Sequence, residues 1–137
     1  MALDSVLSET VKSVPDCVAA GFVDMTTGML LGVKTVDSHP QEVLDLVAAA
    51  TSDLFQGPNV VTIEKLFKKI RGLPETDTEH YFREFIVMSK NLIHVFIRGH
   101  RFVDQVLVIV TRANANMGMV LSKARRSLEA VEQAAAA

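Results

Sequence analysis

The 137-residue sequence has little of what small proteins use to cross-link themselves, since it holds one cysteine, Cys17. A single thiol excludes an intrachain disulfide and a cysteine-rich zinc site. Cys17 lies in an apolar stretch, which predicts an unreactive core residue. Stability must therefore come from one hydrophobic core, which a chain of this length can bury. We expect a single domain over residues 1–132, followed by a frayed alanine tail over 133–137.

Long apolar runs are also missing. The longest, residues 17–23, has seven residues even when Gly21 is counted, whereas a membrane helix needs about 20. The first nine residues carry acidic side chains where a signal peptide carries positive ones, and they include no apolar h-region. We therefore expect a cytoplasmic protein that is not inserted in a membrane.

Neither sign of charge is in large excess. Lysine and arginine number 14 and aspartate and glutamate 16, which gives a formal net charge of -2. This balance removes any global electrostatic reason to expect a nucleic-acid or anionic-membrane partner. Apolar residues reach 49%, and in so small a domain this excess indicates that more surface is hidden by association.

Motifs that carry chemistry are absent as well. The sequence has no phosphate-binding loop and no nucleophile elbow around a serine, and its four histidines lack metal-ligand spacing. His94 shares a strand face with Leu92 and Phe96, which predicts a half-buried residue and not a catalytic base. We expect no enzymatic activity, no catalytic residue, no metal site and no cofactor.

Two basic stretches, residues 65–71 and 98–101, admit two interpretations. The simpler one is a solvated helix face and a polar turn. The alternative is a docking patch for an acidic partner.

Four segments carry helical patterns. The first lies over residues 3–14 and ends before Pro15. The second begins at residues 38–41 and ends at Gly57. Residues 59–71 fit a strand or a helix, and we predict a second helical piece there. The last begins at Asn114 or Asn116 and has an apolar stripe made of Met117, Val120, Leu121, Ala124, Leu128 and Val131.

Five apolar runs predict strands. The first two form a hairpin whose turn uses Gly28 at positive φ, and the last three form an antiparallel meander. Several runs are apolar at both parities, so both faces of the sheet must be covered. The strands are predicted over residues 17–24, 29–36, 81–89, 92–98 and 102–111.

The order α-β-β-α-β-β-β-α predicts a single α+β domain of three layers, in which helices cover both faces of a five-stranded antiparallel sheet. The small residues Ala19, Ala20 and Gly21 would let a helix approach this sheet closely. Gly118 near the start of the last helix is expected to serve close packing too, because glycine otherwise costs a helix about 1 kcal/mol.

This order and two sequence segments resemble the roadblock/dynein light chain family. The segments are VPDCVAA at residues 14–20, which leads into the first hairpin, and NANMGMV at residues 114–120, which opens the last helix with an Asn-x-Gly sequence. The resemblance covers essentially the whole chain and is most specific over residues 106–125. The hairpin turn at 25–28 and the stretch 59–79 are longer than is usual in the family. The implied fold is roadblock/profilin-like.

The resemblance implies a non-enzymatic homodimer in which the third strands pair across a two-fold axis and the middle helices lie side by side. Family members act as scaffolds or regulators of small Ras-like GTPases, so the expected partners are a second copy and a small GTPase or a multiprotein complex. An apolar edge strand over 81–89 needs such a mate, because a bare one would aggregate. The expected dimer-interface residues are Phe82, Phe85, Val87, Val43 and Val47, and the expected partner-binding residues are Gln41, Asp45 and Asp53.

The alternative function is a small-molecule sensor or ligand-binding domain on a related sandwiched sheet, which would need a pocket with convergent polar groups. The predicted core is almost wholly aliphatic, with no tryptophan and one tyrosine. Few side chains could therefore orient a polar ligand, and the sequence favours the interaction module.

Overall fold

The computed structural model describes residues 2–37, 41–74 and 80–136, and within 41–45 it describes the backbone alone. The chain forms four helices and five strands over these ranges. In order they are α1 (Leu3–Ser13), β1 (Cys17–Asp24), β2 (Met29–Thr35), α2 (Gln41–Gln56), α3 (Pro58–Ile70), β3 (Glu84–Met88), β4 (Leu92–Arg98), β5 (Gln105–Arg112) and α4 (Met117–Ala136).

The strands form one antiparallel sheet in the order β2-β1-β5-β4-β3. Helices α1 and α4 cover one face, where Leu7, Phe22, Val95 and Ile109 belong to the larger core cluster. Helix α2 lies on the other face, where Phe55 belongs to a smaller cluster. The predicted α+β class and the five-stranded antiparallel sheet between helices are confirmed.

The close approach of a helix to the sheet occurs at Gly32 of β2. A Cβ atom there would lie 2.9 Å from Leu3 Cδ2 and 3.1 Å from Leu7 Cδ1, so glycine lets α1 pack on this strand. A Cβ atom on Gly21 would meet Leu30 and the carbonyl of Gly32 in the adjacent strand instead. The prediction that Gly21 admits a helix is therefore wrong.

Residues 59–71 are helical, as predicted, but they form a helix of their own. Gly57 is the N-cap of α3 and Pro58 follows at its start. A Cβ atom on Gly57 would lie 2.7 Å from the carbonyl oxygen of Asp53, so only glycine permits this tight break after α2. Two helices therefore separate β2 from β3, where the predicted order had one.

The first hairpin forms as predicted. Asp24 Oδ1 accepts a hydrogen bond from the Thr26 amide at 2.9 Å, and Gly28 has a φ of 73°. At the start of α4, Asn116 Oδ1 accepts a hydrogen bond from the Met119 amide at 3.0 Å. The helix is therefore capped by Asn116 and not by Asn114.

The last helix continues through Ala136, four residues into the segment expected to fray. Ala134 and Ala135 pack against the larger core cluster, and Glu132 just before them is buried. These contacts extend α4 into the alanine segment, and the fraying expected over 133–137 stays a prediction. A domain boundary at residue 132 stays a prediction.

Candidate interaction surface

Strand β3 is an edge of the sheet, and it is apolar. Among the residues that the structure describes, its one strand neighbour is β4, and no described strand pairs with its other side. The side chains of Ile86, Val87 and Met88 are each more than 40% exposed. An apolar edge of this kind is a template for pairing with another chain.

A groove of about 940 Å³ lies between α2 and the face of the sheet below it, and residues of all five strands line it. Its walls are mostly apolar. Val47 and Leu54 belong to α2, and Phe85, Val87 and Phe96 belong to the sheet. Phe85 and Val87 are residues of β3. The groove thus adjoins the β3 edge.

The groove carries a histidine that burial keeps neutral. Burial lowers the pKa of His94, and its Nε2 lies 3.3 Å from Ser89 Oγ. The ring is half-buried, as its shared parity with Leu92 and Phe96 predicted.

Three of the predicted interface residues meet in this groove. Val47, Phe85 and Val87 all line it, and Phe82 stacks on Phe85 with ring centroids 5.8 Å apart. Phe85 also meets Phe55 of α2 edge to face at 4.8 Å. The structure therefore joins the β3 edge and α2 into one apolar surface.

The predicted partner-binding residues fall partly outside this description. Asp53 is exposed on α2 and lines the groove. The side chains of Gln41, Asp45 and the interface candidate Val43 lie outside the described part. Their assignment stays a prediction.

A buried arginine connects three segments of backbone beside this surface. Arg98, at the end of β4, is 1% exposed, and it donates from Nε to the Phe82 carbonyl at 3.0 Å, from Nη1 to the Val103 carbonyl at 2.9 Å and from Nη2 to the Phe55 carbonyl at 3.3 Å. Its guanidinium also lies 4.9 Å from the Phe55 ring centre. Arg98 thus ties α2 to the segment before β3. The interpretation of residues 98–101 as a wholly polar turn is wrong at Arg98.

A buried carboxylate fixes the start of β3 from the other side. Glu64 of α3 is 5% exposed, and it accepts a hydrogen bond from the Tyr81 amide at 2.8 Å and lies 3.4 Å from His80 Nδ1. Tyr81 also meets Phe67 of α3 edge to face at 5.7 Å. Residues 81 and 82 are therefore held by side chains of other elements, whereas the Arg83 carbonyl accepts a hydrogen bond from the Arg98 amide of β4 at 2.8 Å. For this reason β3 begins at Glu84 and not at residue 81.

A second carboxylate shapes the connection between β4 and β5. Glu132 of α4 is 3% exposed and accepts hydrogen bonds from the amides of His100, Arg101 and Phe102 at 2.8 to 3.2 Å. Because these amides bind Glu132 and not a neighbouring strand, β5 begins at Gln105 and not at residue 102. The sequence could have predicted that Glu132 is buried, because Glu132 follows the stripe residues Ala124 and Leu128 at the same four-residue spacing.

Strand β3 is also tied to the helical layer on the opposite face. Arg125 of α4 donates two hydrogen bonds to the Glu84 carboxylate, at 2.7 and 2.9 Å. The hydrogen bond from Arg125 lowers the pKa of Glu84. The edge strand is thus fixed to α4 and remains open along its outer side.

Neither a membrane span nor a metal centre is found where the structure describes the chain. No described helix is long and apolar enough to cross a bilayer, and no three or more described His, Cys, Asp or Glu side chains group as metal ligands.

Comparison with known proteins shows which solved structures share this architecture. No family model and no curated protein matches the sequence. Among solved structures, MglB in a tetrameric arrangement has a TM-score of 0.69 and 22% identity, over 96% of this chain and 86% of that one. The gliding protein MglB from Thermus thermophilus has a TM-score of 0.67 and 22% identity, over 96% and 87%.

A third solved structure carries the family name. The Roadblock/LC7 domain protein from Streptomyces avermitilis has a TM-score of 0.68 and 17% identity, and the match covers 97% of both chains. The chain therefore has the roadblock fold that the sequence resemblance implied. Identities at this level establish the fold, and function is argued separately below.

Proposed function

We propose that the chain is a non-enzymatic homodimer that scaffolds or regulates a small Ras-like GTPase. One observation carries the proposal: an apolar edge strand, β3, adjoins an apolar groove of about 940 Å³ between α2 and the sheet. A second copy satisfies both features at once. Its β3 would pair with this β3, and its helical layer would cover the groove.

The two-fold axis decides which surface the dimer presents. Antiparallel pairing of the two β3 strands joins the sheets into one, with both α2 helices on the same face. These helices then form a broad surface that includes Asp53 of each copy, and we assign partner binding to it together with Gln41 and Asp45.

The GTPase role rests on the fold and on the chemistry of the described residues. Structures with this fold include gliding proteins named MglB, and the sequence resembles a family of GTPase scaffolds and regulators. The exposed arginines sit in no recognisable catalytic constellation. Any stimulation of GTP hydrolysis would therefore come from ordering the GTPase's own switch loops.

A ligand-binding role is the second candidate, because the groove has the volume of a small-molecule site. Asp53, His94 and Arg112 contribute polar groups to its lining. The two proposals exclude each other, since a second copy would occupy the groove. A metabolite that raises the melting temperature of the monomer would favour this candidate.

The scaffold role is tested with the small GTPase encoded nearest to this gene. The matched variants are Arg101→Ala, Arg112→Ala, Arg125→Ala and Arg126→Ala. Each is expected to leave turnover within a few fold of the unmodified protein, because no arginine enters the chemistry. A loss of about a hundredfold or more at one position, with binding intact, is the size of an arginine-finger effect and would contradict the scaffold role.

A further inference from the structure

The groove holds a titratable side chain among its apolar residues. His94 belongs to β4, and in the strand register it lies opposite Val87 of β3 and Val110 of β5. All three side chains line the groove. His94 is therefore one strand inside the β3 edge, on the face that the second copy covers in the proposed dimer.

The ring of His94 is already partly withdrawn from water in the single chain, where it is half-buried. Burial lowers the pKa of His94, because an imidazolium loses hydration there. Its Nε2 lies 3.3 Å from Ser89 Oγ, and a neutral hydroxyl does not pair a positive charge as a carboxylate does. The ring is thus uncharged near neutral pH.

The charged groups around the groove give a protonated His94 little support. Arg112 of β5 also lines the groove and is itself a cation. Glu84 of β3 is bound by an arginine of α4, on the opposite face of the sheet. Among the described residues, the carboxylates that line the groove are Asp53 on α2 and Asp37 after β2. Neither contributes to the pKa of His94, since burial alone accounts for its lowering.

Dimerisation would complete the burial of this ring. Pairing of the two β3 strands and coverage of the groove place apolar atoms over Val87 and over His94 beside it. A charged imidazole under such a cover loses its remaining hydration, which costs free energy that the separated copies avoid. The separated copies therefore bind protons more tightly than the dimer does.

We propose that His94 makes the homodimer sensitive to pH, so that protonation of the two rings releases the second copy from the groove. This proposal rests on the homodimer of the proposed function. It adds a means of regulation, because acidification would separate the copies without unfolding them.

The dimer should weaken as the pH falls through the pKa that His94 has in the free chain, because the dimer binds fewer protons than the separated copies. At about one pH unit below that pKa, each ring contributes a factor of about 10 to the dissociation constant. The two rings together should then raise this constant about 100-fold. Well above that pKa, the dissociation constant should not change with pH.

Sedimentation equilibrium between about pH 8 and about pH 5.5, a range in which carboxylates stay ionised, measures the dissociation constant. We expect the unmodified protein to lose affinity as the pH falls. The variant His94→Gln cannot be protonated, so its dissociation constant should change by less than about twofold. His94→Thr is a second neutral variant, and circular dichroism at each pH checks that the proteins stay folded.

The matched control is His100→Gln, which removes an exposed histidine of the β4–β5 connection and should keep the full pH dependence. A dissociation constant that does not change with pH in the unmodified protein would overturn the role of His94 and leave the β3 dimer standing. A pH dependence that persists in the His94 variants would do the same. An unmodified protein that is monomeric over the whole range would overturn both this proposal and the proposed function.

Discussion

At the scale of single residues, buried charges organise the connections around the sheet. Arg98 satisfies three backbone carbonyls from α2, from the segment before β3 and from the β4–β5 connection. Glu132 satisfies three backbone amides of that same connection. Hydrogen bonds to charged groups are stronger than neutral ones, so each residue fixes backbone that no strand pairing holds.

Replacing Glu132 with alanine should lower the free energy of unfolding by about 2 kcal/mol, because three amides lose a charged acceptor. Chemical denaturation monitored by circular dichroism measures the change. The control is Glu129→Ala, since Glu129 is exposed on the same helix and its loss should cost less than about 0.5 kcal/mol. Equal effects of the two substitutions would mean that the amides find other acceptors at no cost.

At the scale of elements, the start of α4 differs from the packing that the sequence predicted for Gly118. Gly118 is exposed, and a Cβ atom there would meet a single neighbour, Asn116 Oδ1 at 3.4 Å. The prediction that Gly118 serves close packing is therefore wrong. Its flexibility costs the helix stability without a packing contact in return.

Gly118→Ala should raise the free energy of unfolding by about 0.5 kcal/mol, because alanine restricts the unfolded chain and favours the helix. Gly32→Ala should lower it, since the added Cβ atom would lie 2.9 Å from Leu3 Cδ2. Thermal unfolding of the two variants compares them directly. A lower melting temperature for Gly118→Ala would show that the glycine has a role that its exposure conceals.

The elements also show what local sequence pattern can and cannot predict. Strands β1 and β4 have the predicted bounds, because turn residues and apolar runs mark both ends of each. Strand β3 is shorter than predicted because side chains distant in sequence, Glu64 and Arg98, hold residues 81 and 82. The start of β5 likewise depends on Glu132 binding amides about 30 residues away. Periodicity carries no information about such contacts.

The candidate surface was predictable to a similar extent. Phe85 and Val87 follow from an apolar strand at the sheet edge, and the groove that they line follows from the position of α2. The burial of Arg98 was not predicted, because a charged residue beside a turn is ordinarily solvated. The exposure of Ile63, Leu66 and Ile70 on α3 could not be predicted from spacing either, because helical spacing does not say which face is buried.

At the scale of the whole molecule, the two sheet edges are unequal. Strand β2 carries Lys34 and pairs with β1 through a register shift between Phe22 and Val23, and both features discourage pairing with another chain. Strand β3 has Glu84 as its single charged residue, and Arg125 binds that carboxylate. One edge is therefore suited to association, which favours a closed dimer over an open fibre.

The mass of the protein in solution tests this account most directly. Light scattering at micromolar concentration should return about twice 15.0 kDa for the unmodified chain and a shift toward the monomer for Phe85→Lys and Val87→Lys. The control Met29→Lys, at an exposed apolar position on the β2 edge, should remain dimeric. An unmodified chain that scatters as a 15.0 kDa monomer would contradict the account, because the β3 edge and the groove would then need no second copy.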